Sequence, residues 1–494
     1  MKHIKRFFAF LYDHLEYIFV TIIFFGVFYL AIAKGSYADP ALVHDGFYTR
    51  KIFDQSYVHK IEITTTEEDL DNLRANATEK TKYLADVVID GETFHDVAFS
   101  TRGNVSLFTL AGNPNSDRYS YKLNFGKFSD HASYYGLDKL ILNNLNSDPS
   151  YMRDFLAFEI MRAAGVASPL TSYAELRING ELQGLYLAIE DVDQSFLRRN
   201  HFPKDSVLYK PEPLAIDHSK LQRLREQLPD GETLDIIDDL NNPEFDYAGA
   251  DLVYRGDDPV LYSAIFDNAV SKFSAHDKEY LITSLRSLEP AGFLNPSEYW
   301  DIDAVVNYFA ANNLLSNFDS YTGTTAHNYY LLASPRRNTL LPWDYNLAFT
   351  GIEVKPELKI DEAVIDWPID NPLATNVIES RPAWRLIVNN PDYLEKYHQA
   401  MQRILDNYLL NGECIKKITT TAELIRADVY SDPTRFYSSD EFEDGVEILR
   451  DYILARSDSA QKQLWGLLPR TREEINSGNF QFVNLDFDTP IIDE

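Results

Sequence analysis

The amino-acid sequence predicts an α+β protein, with a β-rich first half and a helical last third behind an apolar N-terminal segment. Three observations carry that prediction. Short stretches that alternate apolar and polar residues, separated by turn residues, recur between residues 58 and 189. Helical patterns dominate from about residue 352 to residue 470. An uncharged run of 17 residues, Tyr17–Ala33, follows a basic N-terminus.

Residues 1–34 form the first unit. Lys2, Lys5 and Arg6 precede the apolar run, so the expected location is membrane-anchored and single-pass, with the N-terminus cytoplasmic and everything after Lys34 beyond the membrane. Secretion after signal cleavage is the competing reading, because Ala31-Ile32-Ala33 and Ser36-Tyr37-Ala38 both have a small-x-small pattern. Residues 35–54 read as a linker.

The β-rich unit spans residues 55–200. Val58–Thr64 alternates with period two, and Glu67–Ala75 reads as a short helix with acidic residues in its first turn. Val87–Ile89, Val97–Thr101 and Tyr119–Phe125 are expected strands. Asp148-Pro149-Ser150 opens a helix over Tyr151–Ala164, which Gly165 ends. Ser172–Ile178 and Gln183–Ile189 flank Asn179-Gly180, the strongest short-range hairpin signal. Residues 201–300 are acidic and irregular, with helical stretches such as Pro259–Phe273. Residues 301–470 carry an apolar helix, Asp303–Leu315, then a polar loop, two short strands (Asn328–Leu332 and Thr339–Leu341) and further helices. An acidic tail, 471–494, follows.

Composition narrows the chemistry. Lys plus Arg number 46 against 76 Asp plus Glu, a net charge of −30, which excludes nucleic acid as the main partner because a phosphate backbone needs a basic footprint. The single cysteine, Cys414, excludes an internal disulfide and a cysteine-built zinc site. Walker, dinucleotide-binding, zincin and hydrolase-elbow motifs are missing.

What remains is a set of polar residues in apolar text. Arg102, Gly103 and Asn104 follow a strand, where glycine lets a backbone approach a ligand and arginine reaches a phosphate; a turn with one surface arginine fits equally. Lys122 lies at the centre of YSYKLNF, either at an exposed edge or opposite an acid such as Glu159. Asp319 ends an apolar helix and Asp344 follows a buried-looking strand. With the amide of Asn328 they form an oxygen-donor set for Mg²⁺, or else they are capping and turn aspartates.

Longer stretches bring a family into view. Arg102-Gly103-Asn104 is followed by LILNNLNSDPSYMRDFLAFEIMRAAGV, SYAELRINGELQGLYLAIEDVDQSFLRR, LYK at Leu208–Lys210, NFDS, HNYYLL and LPWDYNLAFTG. In order and register, over about residues 55 to 355, this text resembles the CotH kinase family of spore coat protein H-like proteins. The resemblance implies an atypical protein-kinase-like two-lobed fold, with a β-rich N-lobe and a helical C-lobe. It implies Asp319 as catalytic base, Asp344 as Mg²⁺ ligand and Asn328 as a second metal ligand. It implies Lys122 on the α/β-phosphates, held by Glu159. Arg102 and Asn104 would then lie in the phosphate-covering loop, and Glu190 near the adenine. His327 and Lys210 match family positions and read as structural. The chain departs from common kinases in lacking a His-Arg-Asp before Asp319, and Asn346 stands where many relatives carry a second acid. The implied activity is transfer of the ATP γ-phosphoryl group to Ser or Thr of an envelope or surface protein, with Mg²⁺ or Mn²⁺. An inactive binding scaffold and a nucleotidyl transferase on the same fold are the alternatives.

Overall fold

The computed structural model describes residues 46–113, 116–129, 132–212, 247–290, 294–323, 325–334, 337–349, 364–373 and 380–478. In chain order the elements used below are β1 (His59–Thr64), α1 (Glu67–Ala75), β2 (Tyr83–Ile89), β3 (Glu92–Arg102), α2 (Val105–Ala111), β4 (Ser120–Asn124), β5 (Lys139–Asn143) and α3 (Arg153–Ala163). Then come β6 (Thr171–Ile178), β7 (Glu181–Glu190), α4 (Gln194–Arg199), β8 (Val207–Tyr209), α5 (Ala275–Arg286), α6 (Ile302–Leu314), β9 (Tyr329–Ala333) and β10 (Thr339–Pro342). The last are α7 (Pro382–Val388), α8 (Pro391–Ile404), α9 (Glu413–Ser431) and α10 (Ser439–Leu464).

The N-terminal strands close into a barrel in the order β1-β2-β3-β4-β5-β7-β6. All neighbours are antiparallel except at the closure, where β6 runs parallel to β1, from His59 opposite Ala174 to Ile63 opposite Ile178. The β6–β7 turn has positive φ at both Asn179 (50°) and Gly180 (83°), as a two-residue primed turn requires. Strand alternation fills the barrel: Ile61, Ile63, Val87, Phe99, Tyr121, Leu123, Leu140 and Leu142 form its core.

Two strands serve a second core as well. In β7, Tyr186 and Ala188 point into the barrel while Leu185, Leu187 and Ile189 join the larger apolar cluster outside it. In β5, Ile141 does the same. Burial on both faces is why GLYLAIE reads as almost continuously apolar text. Against this wall α3 packs on β6 and α6, and α6 packs on α8 and β10. The three-stranded sheet β10-β9-β8 carries the remaining short strands. After α9, Asp432 accepts from Leu185 N at 3.0 Å and from Arg118 Nη1 at 2.6 Å, clamping the helical part onto β7. A Cβ at Gly184 would lie 2.1 Å from that carboxylate, so only glycine fits there.

The fold is thus mixed α+β, as expected. Its differences from expectation are instructive. The strands close into a barrel, β5, β8 and α2 were not foreseen, and Pro259–Phe273 forms only a 3-10 turn, Pro259–Tyr262, and a single helical turn, Ser263–Phe266. The membrane-anchored location and the membrane partner are corrected: among the described residues no helix is long and apolar enough to cross a membrane. The run Tyr17–Ala33 lies outside the described residues.

Candidate active site

The candidate site lies where the ends of barrel strands meet the loops after α6 and β10. On the barrel side the strand period places the cations. Tyr121 and Leu123 fill the barrel, so Lys122 between them faces outward. Its Nζ lies 2.8 Å from Asp191 Oδ2, just beyond β7. Lys139, on neighbouring β5, lies 3.9 Å from Asp191 and 3.3 Å from Asp193. Burial works against the Asp191 charge, yet Lys122, Lys139 and Arg102 together hold its carboxyl below the usual range. Asp193, with Asp191 as a like-charged neighbour, is pushed up to about 6 by burial first.

Arg102 ends β3. Its guanidinium lies 4.9 Å from the centroid of the Trp343 ring and 4.0 Å from Asp344 Oδ2. Gly103 has φ +126°, and a Cβ there would meet Leu107 Cβ at 3.0 Å. Asn104 caps nothing with its side chain; its Oδ1 accepts from Lys80 Nζ at 2.8 Å.

On the helical side, the loop after α6 is fixed by Asn317, whose Oδ1 accepts from Asp319 N at 3.1 Å and whose carbonyl accepts from Ser320 Oγ at 2.7 Å. Asn328, in left-handed backbone (φ 53°), donates from Nδ2 to Asp319 Oδ2 at 2.6 Å. Its Oδ1 is buried and accepts no hydrogen bond among the described residues. The Asp319 carboxyl is pushed up to about 7, first by burial and then by Asp344 and Glu212, against the pull of His327 and Asn328. His327 Nε2 lies 2.6 Å from Glu212 Oε2, and Lys210 pairs with the same carboxylate. Burial would raise Glu212, but Lys210 and His327 hold it down at about 2.

Asp344 also has left-handed backbone (φ 55°). The next amide fixes it: Tyr345 N donates to Asp154 Oδ1 at 2.6 Å, and Asn143 Nδ2 donates to Asp154 Oδ2 at 3.2 Å. Asp154 is 2% exposed, and burial with Asp344 nearby pushes its carboxyl up to about 8.

The resemblance implied one site for Arg102, Lys122, Asp319, Asn328 and Asp344, and the fold sets them in one neighbourhood. It does not bring Glu159 to Lys122. Glu159 accepts from Gln55 Nε2 at 2.8 Å and from Arg162 Nη2 at 2.6 Å. The acid of α3 that reaches the cleft is Asp154, five residues earlier and so about 140° around the helix. Glu190 is fully buried and committed elsewhere: Tyr48 Oη donates to it at 2.5 Å, Arg199 at 2.6 and 2.9 Å, and Leu170 N at 3.1 Å. Lys80, Asp154, Asp191 and Glu212 were missed. Asp154 and Asp191 offered one signal, an acid inside a buried-looking segment, as in MRDFLAF and LAIEDVD; Lys80 and Glu212 offered none.

Among the described residues no group of three or more His, Cys, Asp or Glu side chains is placed to hold a metal. A magnesium ion needs less, because it takes one or two carboxylates with substrate phosphates and waters. The unpartnered Asn328 Oδ1, the crowded Asp319 and the third-exposed Asp344 fit that donor set. A lysine and an arginine facing metal-type carboxylates is the arrangement that phosphoryl transfer uses.

Comparison with known proteins gives the family. Residues 99–460 match the CotH kinase protein family, and the chain belongs to that family. It is 23% identical over 349 residues to the inner spore coat protein H of Bacillus subtilis (strain 168), covering 69% of this chain and 84% of that protein. An inner spore coat protein H-like protein of the same strain is 36% identical over 93 residues, 19% of this chain and 29% of that protein. Among solved structures, the Helicobacter pylori proinflammatory kinase CtkA aligns over 72% of this chain and 96% of its own, at 14% identity and a TM-score of 0.29.

Proposed function

We propose that the chain is an ATP-dependent kinase that transfers the γ-phosphoryl group to a Ser or Thr hydroxyl of a protein. The observation that carries this reading is the Asp319–Asn328 pair. One amide edge is spent holding the carboxylate at 2.6 Å, and the other edge, buried and unpartnered, is left for a cation. Family membership supports the same reading.

In this reading Asp319 orients the acceptor hydroxyl and takes its proton, which a carboxyl near 7 does efficiently close to neutral pH. Asp344 and Asn328 would hold Mg²⁺ or Mn²⁺, which would supply charge neutralisation on the phosphates. Lys122 binds the phosphates from the strand side, with Asp191 rather than Glu159 setting its position. Arg102, braced on Trp343, and Asn104 line the same phosphates from the glycine-containing loop. Asp154 fixes the Asp344 backbone through Tyr345 N. Glu190 braces the end of β7 through Arg199 and Tyr48.

The test uses the full chain with γ-labelled and, separately, α-labelled ATP, Mg²⁺ or Mn²⁺, and Ser/Thr-rich acceptor proteins. Label passing from the γ position, and lost in Asp319→Asn, is the expected result. Label from the α position means nucleotidyl transfer. No transfer, with no ATP binding by calorimetry, makes the protein a binding scaffold and ends the kinase reading.

A further inference from the structure

One cation in the cleft lies upstream of the family-matched residues, which begin at 99. Lys80 closes a single 3-10 turn, Ala77–Glu79, in left-handed backbone (φ 54°). That conformation is uncommon for a long side chain, and surrounding structure has to impose it. Here Thr101 Oγ1 donates to Ala77 O at 2.5 Å inside the protein, fastening the turn to the end of β3. The turn therefore delivers Lys80 to the same strand end that carries Arg102 and Asn104.

Its charge is poorly matched. An ammonium has three donors, and Lys80 spends one on Asn104 Oδ1 at 2.8 Å. Among the described residues no carboxylate pairs with it. The neighbouring cations do have acids: Lys122 has Asp191 at 2.8 Å, Lys210 has Glu212, and Arg102 faces Asp344 at 4.0 Å. Burial, together with the nearby Lys210, Arg102 and Lys122, pushes the Lys80 ammonium below its usual range against the weaker pull of Glu212, which is already paired with Lys210 and His327. The fold thus holds a cation at a cost that a bound anion would relieve.

We propose that Lys80 is a second phosphate-binding lysine of this cleft, gripping a polyphosphate group together with Lys122 and Arg102 while its bond to Asn104 orders the loop over that group. The inference rests on the nucleotide reading above only for which polyphosphate is bound.

Calorimetry on the full chain with tripolyphosphate, ATP and adenosine tests it, using Lys80→Gln and Lys80→Arg. Glutamine keeps a donor for Asn104 and removes the charge. Lys80→Gln is expected to weaken tripolyphosphate and ATP on the order of tenfold and leave adenosine unchanged, with Lys80→Arg retaining most of the affinity. Equal affinity of wild type and Lys80→Gln for tripolyphosphate overturns the proposal. So does an equal loss for ATP and adenosine, which would make Lys80 a brace for the loop. Tripolyphosphate bound without ATP, and lost in Lys80→Gln, upholds Lys80 and ends the kinase reading. ATP bound equally by both proteins does the reverse, and binding of neither probe by the wild type overturns both. A second readout needs no variant: tripolyphosphate should slow acetylation of Lys80 in the wild-type chain, and an unchanged rate contradicts the proposal.

Discussion

Asp191 and Asp154 are both almost fully buried, at 4% and 2% exposed, yet their carboxyls move in opposite directions. Burial raises each one. Around Asp191, Lys122 and Lys139 outweigh that cost and keep the charge on the carboxylate. Around Asp154 the strongest charged neighbour is another acid, Asp344, and the carboxyl rises to about 8. Asp319 also rises, to about 7, because burial outweighs the pull of His327 and Asp344 adds to the rise. The molecule neutralises buried acids well where it needs only structure, as the Arg118–Asp432 clamp at 2.6 Å shows. Asp154, Asp319 and Asp344 lie near one another without a matching cation each, and a divalent cation is the simplest partner that settles them.

The largest effect that could break this contrast is loss of chemistry without loss of fold. Asp319→Asn or Asp344→Asn should lower phosphoryl transfer at least about a hundredfold. Without metal, Asp319→Asn should melt no lower than wild type, because a raised carboxyl is removed. Unfolding by Asp319→Asn would place it among the structural acids.

Lys122→Met probes the other side. ATP affinity should fall on the order of tenfold. Stability should drop by roughly 1–3 kcal/mol, because Asp191 loses its nearest cation while Lys139 remains and Lys122 is itself 31% exposed. Adding Asp191→Asn should recover part of that stability but not the affinity.

The pH dependence of stability sharpens the comparison next. Asp154 and Asp319 have folded values near 8 and 7, above the ordinary carboxylate range. The folded protein therefore keeps protons that the unfolded chain releases above about pH 4, and stability falls as pH rises from there through 7 and 8. Glu212, held at about 2, contributes stability that is lost only in acid, below that window. Melting curves in chelator should thus decline between about pH 5 and 8 and level off above, and Mg²⁺ should flatten the decline. A profile that rises over this range in chelator would contradict the assignment.

Glu159→Gln should have the smallest effect. Its partners are Arg162 and Gln55, so transfer should stay within about twofold while stability falls by up to ~1 kcal/mol. Collapse of activity would restore the pairing with Lys122 that the sequence suggested.

How much was legible follows from range. Alternation in HKIEIT and the Asn179-Gly180 turn are local, and they identified β1 and the β6–β7 hairpin. Barrel closure depends on β1 pairing with β6 more than a hundred residues away, and no local pattern encodes it. Asp319 and Asp344 stood out because apolar text surrounds them. Asp154 and Asp191 did not, because an acid at a helix start or strand end reads as a cap. Lys80 was hidden entirely, since its importance comes from a turn folded against β3. Helix phase decided between Glu159 and Asp154, and only packing fixes that phase.

The central claim is that barrel cations and unneutralised acids form one site for a metal–nucleotide pair. Calorimetric titration of the full chain with ATP, in Mg²⁺ and in chelator, beside Asp344→Asn, tests it most directly. The account predicts binding in Mg²⁺ that weakens at least about tenfold in chelator and comparably in the variant. ATP affinity indifferent to both the metal and Asp344, or no binding at all, would contradict it.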